Sequence, residues 1–363
     1  MPIVSDENKG PAETLTAPGF VDLQVNGFAG VDYNDPGVTS EAVAGSIQRL
    51  FQTGVTRFLP TVITGSKERM AGALGRLAEA KREFCRCGMP EGDAMAGFHV
   101  EGPHISPEDG PRGAHPLAHV RPPDWEEFQR WQEAAGGEVR LVTVSPEYDE
   151  APGYIAALAR AGVVVSVGHT RANSERIQAA VDAGASMSTH LGNGAHTVLH
   201  KTSNYIWDQL AEDRLTASFI VDGIHIPAGF LRCALRMKGA RRSVLVTDAV
   251  TPAMCPPGLY MLGELPVELL PGNRVVLRGE TRLAGSGLTM DRAVGNCVRW
   301  GGVTLKTALE MATVNPVRAA RIPARQGPAA DDAGDLVRFQ WDESACALEV
   351  VETVVAGRRV YGG

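Results

Sequence analysis

Eight short apolar runs, many of them rich in β-branched residues, recur along the chain and alternate with longer amphipathic segments. Such runs predict β-strands, and the helical periodicity of the segments between them predicts helices. Eight strand–helix units are the number that closes a TIM-type (β/α)8 barrel, so we expect an α/β fold of this kind. The predicted strands are Phe20–Val25, Val55–Leu59, Met95–Val100, Val139–Val144, Val163–Val167, Ser186–Thr189, Ala217–Val221 and Val244–Thr247.

Helical patterns fill the intervals between these strands. A doubly wound open sheet would show the same alternation, but no G-x-G-x-x-G sequence follows the first predicted strand, which favours the barrel. Either Asn173 or Ser174 can cap the third of the clearest helices. These four helices are Ser40–Gln52, Lys67–Phe84, Ser174–Ala183 and Gly229–Lys238.

Charge and hydropathy exclude several classes of partner. The net charge is −7 and there is no basic block, so we expect no nucleic-acid partner. No apolar run approaches the roughly 20 residues of a membrane span, and the first residues lack a signal-peptide pattern. We therefore expect a cytoplasmic protein that has no membrane partner and whose six cysteines are reduced thiols.

Ionisable residues end several of the predicted strands. Glu101, His169 and His190 end the third, fifth and sixth strands, and a barrel brings such positions together at one face. A lone histidine at a strand end is more often structural, but two imidazoles and a carboxylate at equivalent positions can hold a catalytic zinc. Asp248 ends the eighth strand, where it could accept a proton from activated water or simply cap the next segment.

The first strand carries amides where a two-metal hydrolase often has H-x-H. Gln24 and Asn26 are poor ligands for zinc, and the fourth strand offers no lysine to bridge two metals. We therefore predict one divalent metal ion per subunit, zinc in the first place, with Fe²⁺ or Co²⁺ also compatible. Of the remaining histidines, His99 is expected to be a core residue and His104 a partly exposed loop residue.

Seven motifs in order carry a family resemblance: PGFVDLQVNG, GFHVEGPHISPEDGPRGAHP, VSVGHT, MSTHLGNGAH, IVDGIHIP, LVTDAV and LAGSGLTM. From Pro18 to Arg321 the chain resembles the N-acetylglucosamine-6-phosphate deacetylases of the amidohydrolase superfamily. This resemblance implies metal-dependent amide hydrolysis in a barrel flanked by a small β-sandwich. The Q-x-N form of the first motif resembles the single-metal branch of the family.

The resemblance also implies roles for individual residues. Glu101, His169 and His190 would be the metal ligands, Asp248 the catalytic base, and His115 a catalytic group that polarises the acetyl carbonyl. His225 would contact the phosphate or hydroxyl groups of the sugar. The full set of implied substrate contacts is Ala114, Asn193, Gly194, Lys201, Asp222, His225, Leu283, Ala284 and Gly285.

The segment after His190 departs from the family pattern. Family members carry an arginine there that reaches the substrate phosphate, often from the neighbouring subunit, and by spacing its position falls on Lys201 in this chain. A lysine binds phosphate as a point charge and lacks the bidentate fork of arginine. The nearby His196 and His200 are expected to be solvent-facing or structural.

The ends of the chain predict a separate small β domain. We assign residues 18–322 to the barrel, and residues 1–17 and 323–363 to a reduced β-sandwich, because family members have a longer N-terminal segment. Residues 1–17 are expected to form a short strand or to be partly disordered. Residues 327–335 read as a linker, and the strands after it could pair with a partner subunit.

We therefore predict a deacetylase that converts N-acetylglucosamine 6-phosphate to glucosamine 6-phosphate and acetate, and the resemblance implies a homodimer. A first alternative is the same chemistry on another N-acyl substrate, such as an unphosphorylated N-acetyl sugar or an N-acyl amino acid. A second is a non-catalytic paralogue that binds acetylated sugars.

Overall fold

The structure is a computed structural model that describes residues 14–323 and 334–362. Its strands are β1 (Thr14–Pro18), β2 (Phe20–Val25), β3 (Gly27–Phe28), β4 (Val31–Asp32), β5 (Val55–Ile63), β6 (Phe98–Glu101), β7 (Val139–Val144), β8 (Val164–Val167), β9 (Met187–Ser188), β10 (Thr216–Ile220), β11 (Ser243–Val246), β12 (Gly258–Leu262), β13 (Leu265–Leu270), β14 (Arg274–Leu277), β15 (Leu336–Asp342), β16 (Ala347–Val355) and β17 (Arg358–Tyr361).

The helices are α1 (Ser40–Phe51), α2 (Lys67–Arg86), α3 (Pro90–Ala94), α4 (Trp125–Ala134), α5 (Ala151–Arg160), α6 (Ser174–Ala183), α7 (Tyr205–Ala211), α8 (Ala228–Lys238), α9 (Met290–Gly301), α10 (Leu305–Ala312) and α11 (Val314–Ala319). Within the described residues, none of them combines the length and the apolar character that a membrane crossing requires.

Eight parallel strands form a barrel and confirm the predicted fold class. They follow one another in the order β2-β5-β6-β7-β8-β9-β10-β11. A parallel bridge between Val25 and Ala249 joins the first strand to the segment after the last, and Asn26 donates its backbone N–H to the Ala249 carbonyl at 2.7 Å. The barrel is therefore nearly closed at its carboxyl end, the end at which barrel enzymes place their sites.

The predicted elements match the observed ones closely, with one informative difference. The strand predicted to begin at Met95 begins at Phe98, because Gly97 adopts a φ of 128° that interrupts the extended backbone. Met95 keeps only an isolated bridge with Phe58. Asn173 is the residue that caps α6, since its side chain accepts the backbone N–H of Arg176.

A separate antiparallel sheet joins the two ends of the described chain, in the order β1-β15-β16-β17. Strand β1 pairs with β15, with Leu15 opposite Phe339. The C-terminal strands thus pair with the N-terminal strand of their own chain, whereas the sequence had raised pairing with a partner subunit. Val337 and Phe339 are buried in the same core as the barrel residues. Most of the predicted linker, and residues 1–13, lie outside the described residues.

A three-stranded antiparallel sheet, β12-β13-β14, lies between β11 and α9 and was not predicted. Its own small core includes Val267, Leu269 and Val275, together with Ile63 from the end of β5. The sheet therefore packs over the carboxyl end of the barrel and supplies one wall of the site described below.

Candidate active site

Four ionisable side chains meet at the carboxyl end of the barrel, and we call them the strand-end cluster: Glu101, His169, His190 and Asp248. Glu101 is the last residue of β6, and each of the others lies two residues beyond its strand. His169, His190 and Asp248 have φ values of 49°, 28° and 51°. Left-handed backbone conformations at non-glycine residues are strained and occur mostly at functional sites. The strained turns at these three residues therefore indicate a functional site.

Glu101, His169 and His190 point their ligand atoms at one another. Glu101 Oε1 lies 2.9 Å from His190 Nε2 and 3.3 Å from His169 Nε2, and the two Nε2 atoms are 3.1 Å apart. Ligands of a tetrahedral zinc ion are about 3.3 Å from one another, given metal–ligand distances of about 2.0 to 2.1 Å. The spacing of the three donor atoms therefore fits a metal ion.

His115 lies beside these three residues, but it is farther from Glu101 than either His169 or His190. Its Nε2 is 3.9 Å from the other oxygen of Glu101, and its ring meets that of His169 edge-on at 4.5 Å. Ligand atoms of Glu101, His115 and His169 all lie within 4.8 Å of one another, so His115 is a further potential ligand. The distances to His190 are shorter, and they favour His190 as the third ligand.

Two loops hold the ring of His169. Its Nδ1 lies 2.8 Å from the carbonyl oxygen of Pro111, so Nδ1 carries the proton and Nε2 keeps its lone pair for a metal. A side chain at Gly194 would place its Cβ 2.8 Å from His169 Nδ1, and one at Gly113 would come within 3.2 Å of the ring. Both positions require glycine because the loop backbones pack directly on the imidazole.

Gln24 and Asn26 link the two carboxylates of the cluster. The amide nitrogen of Gln24 donates to Glu101 Oε1 at 2.8 Å and to Asp248 Oδ1 at 3.0 Å. Asn26 donates to the same Asp248 oxygen at 2.7 Å. The amides that sequence reasoning dismissed as metal ligands are hydrogen-bond donors that hold the acids in place. In the sequence, the only signal of this role was the position of the two amides at the end of the first strand.

Burial and neighbouring charges set the protonation states. Burial opposes ionisation of Glu101, but its contacts with His169 and His190 bring its pKa well below the usual range. Burial and the charge of Glu101 raise the pKa of Asp248 to about 6. Burial, together with the charge of His169, lowers the pKa of His115 to about 3, which makes its ring neutral at neutral pH. The raised pKa makes Asp248 a candidate general base.

A pocket of about 340 Å³ opens above the cluster. All four residues of the strand-end cluster line it, together with His115. Seven of the nine substrate contacts that the resemblance implied also line it: Ala114, Asn193, Gly194, His225, Leu283, Ala284 and Gly285.

Asp222 is outside the pocket lining and contacts His225 instead. Its Oδ2 lies 2.6 Å from His225 Nδ1, and its Oδ1 accepts the backbone N–H groups of Ile224 and His225 at 2.8 Å each. Despite the cost of burial, hydrogen bonding to His225 lowers the pKa of Asp222. The Asp222 carboxylate thus orients the His225 ring through Nδ1 and leaves Nε2 directed away from Asp222. This positioning role differs from the substrate contact that the family resemblance implied for Asp222.

Lys201 is exposed and is not among the residues that line the pocket. Its carbonyl oxygen accepts a hydrogen bond from the indole of Trp207 at 3.2 Å. His200 is exposed as well, whereas His196 connects Tyr205 to Glu108 through contacts of 3.0 Å on each ring nitrogen. His196 therefore has a structural role that joins two loops beside the pocket.

Two further histidines are buried away from the pocket. His99 contacts the Leu23 carbonyl at 3.1 Å and Thr143 Oγ1 at 2.8 Å, which confirms its expected core role. The expectation that His104 is partly exposed is wrong, because its ring packs against Trp131 and Tyr154 and is fully buried. Sequence alone could not show that two aromatic residues from separate helices cover this loop.

The fold is that of the amidohydrolases. Residues 15–360 match the family model described as Amidohydrolase family. The N-acetylglucosamine-6-phosphate deacetylase of Bos taurus is 34% identical over 99% of this chain and 86% of its own length.

Solved structures agree with this assignment. An aspartate-to-alanine variant of the Mycobacterium smegmatis N-acetyl-D-glucosamine-6-phosphate deacetylase, in complex with N-acetyl-D-glucosamine-6-phosphate, is 31% identical. Its TM-score is 0.85, with coverage of 97% of this chain and 90% of that one. The Thermotoga maritima enzyme has a TM-score of 0.82 at 27% identity, covering 99% and 92%. The chain belongs to the N-acetylglucosamine-6-phosphate deacetylase family.

Proposed function

We propose that this protein hydrolyses the acetamide of N-acetylglucosamine 6-phosphate, giving glucosamine 6-phosphate and acetate. The observation that carries the proposal is the strand-end cluster, in which an acid of raised pKa lies beside three convergent metal-type donors at the floor of a pocket. An unactivated amide needs both a stronger nucleophile than water and a proton for its leaving amine. The cluster can meet both needs.

Glu101, His169 and His190 would hold the divalent metal ion, which we propose to be zinc. When bound, such an ion lowers the pKa of water to about 7 and stabilises negative charge on oxygen. The two imidazoles and one carboxylate would leave an open coordination position toward the pocket.

Asp248 acts as the general base and acid in this proposal. Its carboxylate lines the pocket and receives hydrogen bonds from Gln24 and Asn26 on one oxygen. Its other oxygen can take a proton from the attacking water and return it to the departing nitrogen. With a pKa near 6, the carboxylate is ionised at neutral pH yet basic enough for both transfers.

His115 is placed to polarise the acetyl carbonyl. Its Nδ1 lies 2.8 Å from Thr64 Oγ1, and when this nitrogen accepts a hydrogen bond from the hydroxyl group, the ring proton is on Nε2 and can be donated in a hydrogen bond to the pocket. Because the ring is neutral, it contributes a directed hydrogen bond to the developing oxyanion rather than a positive charge.

One observation favours a second candidate substrate. Within the described residues, the pocket lining contains no lysine or arginine that could neutralise a phosphate. An unphosphorylated N-acetyl sugar or an N-acyl amino acid would fit such a lining with the same chemistry.

Acetate release by metal-replete protein, measured in parallel on N-acetylglucosamine 6-phosphate and N-acetylglucosamine, tests the proposal. We expect a higher kcat/KM for the phosphorylated sugar. Equal or reversed preference would favour the second candidate, and binding of either sugar without turnover would favour the non-catalytic paralogue. The homodimer and the cytoplasmic location remain predictions, and sedimentation equilibrium tests the first.

A further inference from the structure

A carboxylate outside the strand-end cluster lies behind the turn that carries His169. Glu147 is the third residue beyond β7, and its side chain is only 7% exposed. It is not among the residues that line the pocket. A buried carboxylate is costly unless hydrogen bonds satisfy its oxygens, so the partners of Glu147 indicate what it holds together.

Both oxygens of Glu147 accept hydrogen bonds, and the donors come from three loops. Oε1 accepts from Ser106 Oγ at 3.2 Å and from Arg171 Nε at 3.1 Å. Oε2 accepts from Ser145 Oγ at 2.8 Å and from the backbone N–H of Arg171 at 3.2 Å. Ser106 follows β6, Ser145 follows β7 and Arg171 follows β8. The carboxylate therefore joins the loops at the carboxyl ends of three neighbouring strands.

The serine donors also contact the loop after β8, which carries His169. The backbone carbonyl of His169 accepts the N–H of Ser106 at 2.8 Å. Thr170 Oγ1 lies 2.8 Å from Ser145 Oγ. Ser106 and Ser145 thus connect Glu147 to two consecutive residues of the turn, in addition to its direct bonds with Arg171.

The backbone at His169 requires such support. Its φ of 49° is a left-handed conformation, which a non-glycine residue keeps only where its surroundings fix it. The ring of His169 is held by the carbonyl of Pro111, but this contact does not fix the turn itself. The hydrogen bonds that converge on Glu147 hold the backbone on both sides of the loop, and so they set the position from which the ring starts.

We infer that Glu147 is a positioning residue for the metal site, because it fixes the turn that presents His169 as a ligand. The inference rests on the proposed function, in which His169 is one of three metal ligands. Glu147 acts through His169 and touches neither the metal ion nor the substrate.

The metal affinity of Glu147→Gln tests the inference. Each oxygen of Glu147 accepts from a different nitrogen of Arg171, and a carboxamide has one oxygen, so the variant must lose one of these bonds. Groups that orient metal ligands typically change affinity by about 10 to 100-fold, and we expect a loss of about tenfold or more. Competition with a chelator measures the affinity for zinc without any need for turnover.

Two further readouts distinguish positioning from a general loss of stability. The visible absorption of cobalt(II) in the site depends on ligand geometry, so the spectrum of Glu147→Gln should differ from that of the wild type. At saturating metal, kcat for N-acetylglucosamine 6-phosphate should fall while KM stays the same, because Glu147 does not line the pocket.

Glu91→Gln is the matched control. Glu91 is a buried carboxylate on α3, its side chain accepts a hydrogen bond from Gln48 at 3.2 Å, and it does not line the pocket. This variant should keep the metal affinity and the cobalt spectrum of the wild type. If Glu147→Gln does not fold, Ser145→Ala decides, since it removes one donor to the carboxylate and should lower the metal affinity to a smaller degree.

Unchanged metal affinity and an unchanged cobalt spectrum in Glu147→Gln would overturn the inference. The same holds for unchanged affinity in Ser145→Ala where the first variant does not fold, and for equal losses in Glu147→Gln and Glu91→Gln. Wild-type protein that binds zinc but hydrolyses neither sugar counts against the proposed function alone. Wild-type protein that binds no divalent metal would overturn the metal site and this inference together.

Discussion

The pocket above the strand-end cluster adjoins an outer chamber of about 770 Å³. The chamber is lined by Asp109, Gly110, Gly113, Ala195, Thr197, Gly279, Glu280, Thr281 and Arg282. The side chains of the cluster and of the chamber are held in different ways. Glu101 and His190 are each 3% exposed and belong to a continuous network of hydrogen bonds. In the outer chamber, Arg282 is paired with carboxylates that are more than half exposed. Water screens charges in the chamber and hardly reaches those in the cluster, so the same substitution has very different costs in the two places.

This difference separates chemistry from specificity. A buried network places reacting groups accurately, because every member is fixed by several neighbours. Exposed loop side chains can change without unfolding the barrel, and binding preferences are commonly altered through such loops. We therefore expect substitutions in the cluster to reduce turnover and those in the chamber to have smaller effects.

The largest effect is expected at Asp248. Asp248→Asn keeps the shape of the side chain but cannot accept or return a proton, so kcat should fall by about 10² to 10⁴-fold. Acetate release at saturating substrate and metal measures it. The control is Asp22→Asn, a buried aspartate that contacts Thr247 and is absent from the pocket lining. Equal losses in the two variants would contradict the assignment of Asp248 as the base.

Gln24→Ala tests whether the amide bridge supports the metal site. It removes the donor shared by Glu101 and Asp248, and groups that orient metal ligands typically change affinity by about 10 to 100-fold. Competition with a chelator measures metal affinity independently of turnover. Gln209→Ala is the control, because Gln209 is a buried glutamine outside the pocket lining. Unchanged affinity in Gln24→Ala would assign no role in metal binding to the bridge.

His104 is buried but does not line the pocket, so it tests the effect of burial on stability separately from the chemistry of the site. Burial lowers its pKa to about 4, although Glu127 and Asp124 favour the charged form and Arg121 opposes it. The unfolded chain binds a proton near pH 6.5 and the folded chain does not, so stability falls as the pH falls from 6.5 toward 4. The loss by pH 5 is about 2 kcal/mol.

The measurement is urea unfolding of wild type and His104→Asn at pH 7 and pH 5. The variant should not lose this increment on acidification, whatever its stability at pH 7, because the titrating group is gone. An identical decline in both proteins would show that the folded state protonates His104 as readily as the unfolded chain. Activity at pH 7 should fall only as far as stability does.

Local patterns in the sequence explain why so much of the barrel was predictable. The strands of a parallel barrel are buried on both faces and read as short apolar runs, so β2 and β7 have the predicted bounds. The inserted sheet β12-β13-β14 was missed because its strands are half exposed and lie within a long interval. Its tight turn around Gly272 and Asn273, both with positive φ, was the available signal.

Contacts between distant residues explain what was not predictable. Gln24 joins residues that are 77 and 224 positions away in the sequence, and no spacing rule relates them. The outer chamber takes its residues from three separate loops. The burial of His104 depends on Trp131 and Tyr154, which belong to different helices.

The sequence by itself determined the barrel, the positions of Glu101, His169, His190 and Asp248 at its strand ends, and the family, because these follow from local periodicity and from motifs in fixed order. Only the tertiary structure decided that Gln24 joins the two acids, that Asp222 orients His225, and that Arg282 rather than Lys201 adjoins the pocket. Side-chain hydrogen bonds and cavities arise where segments distant in sequence pack together, so they exist only once the barrel has closed.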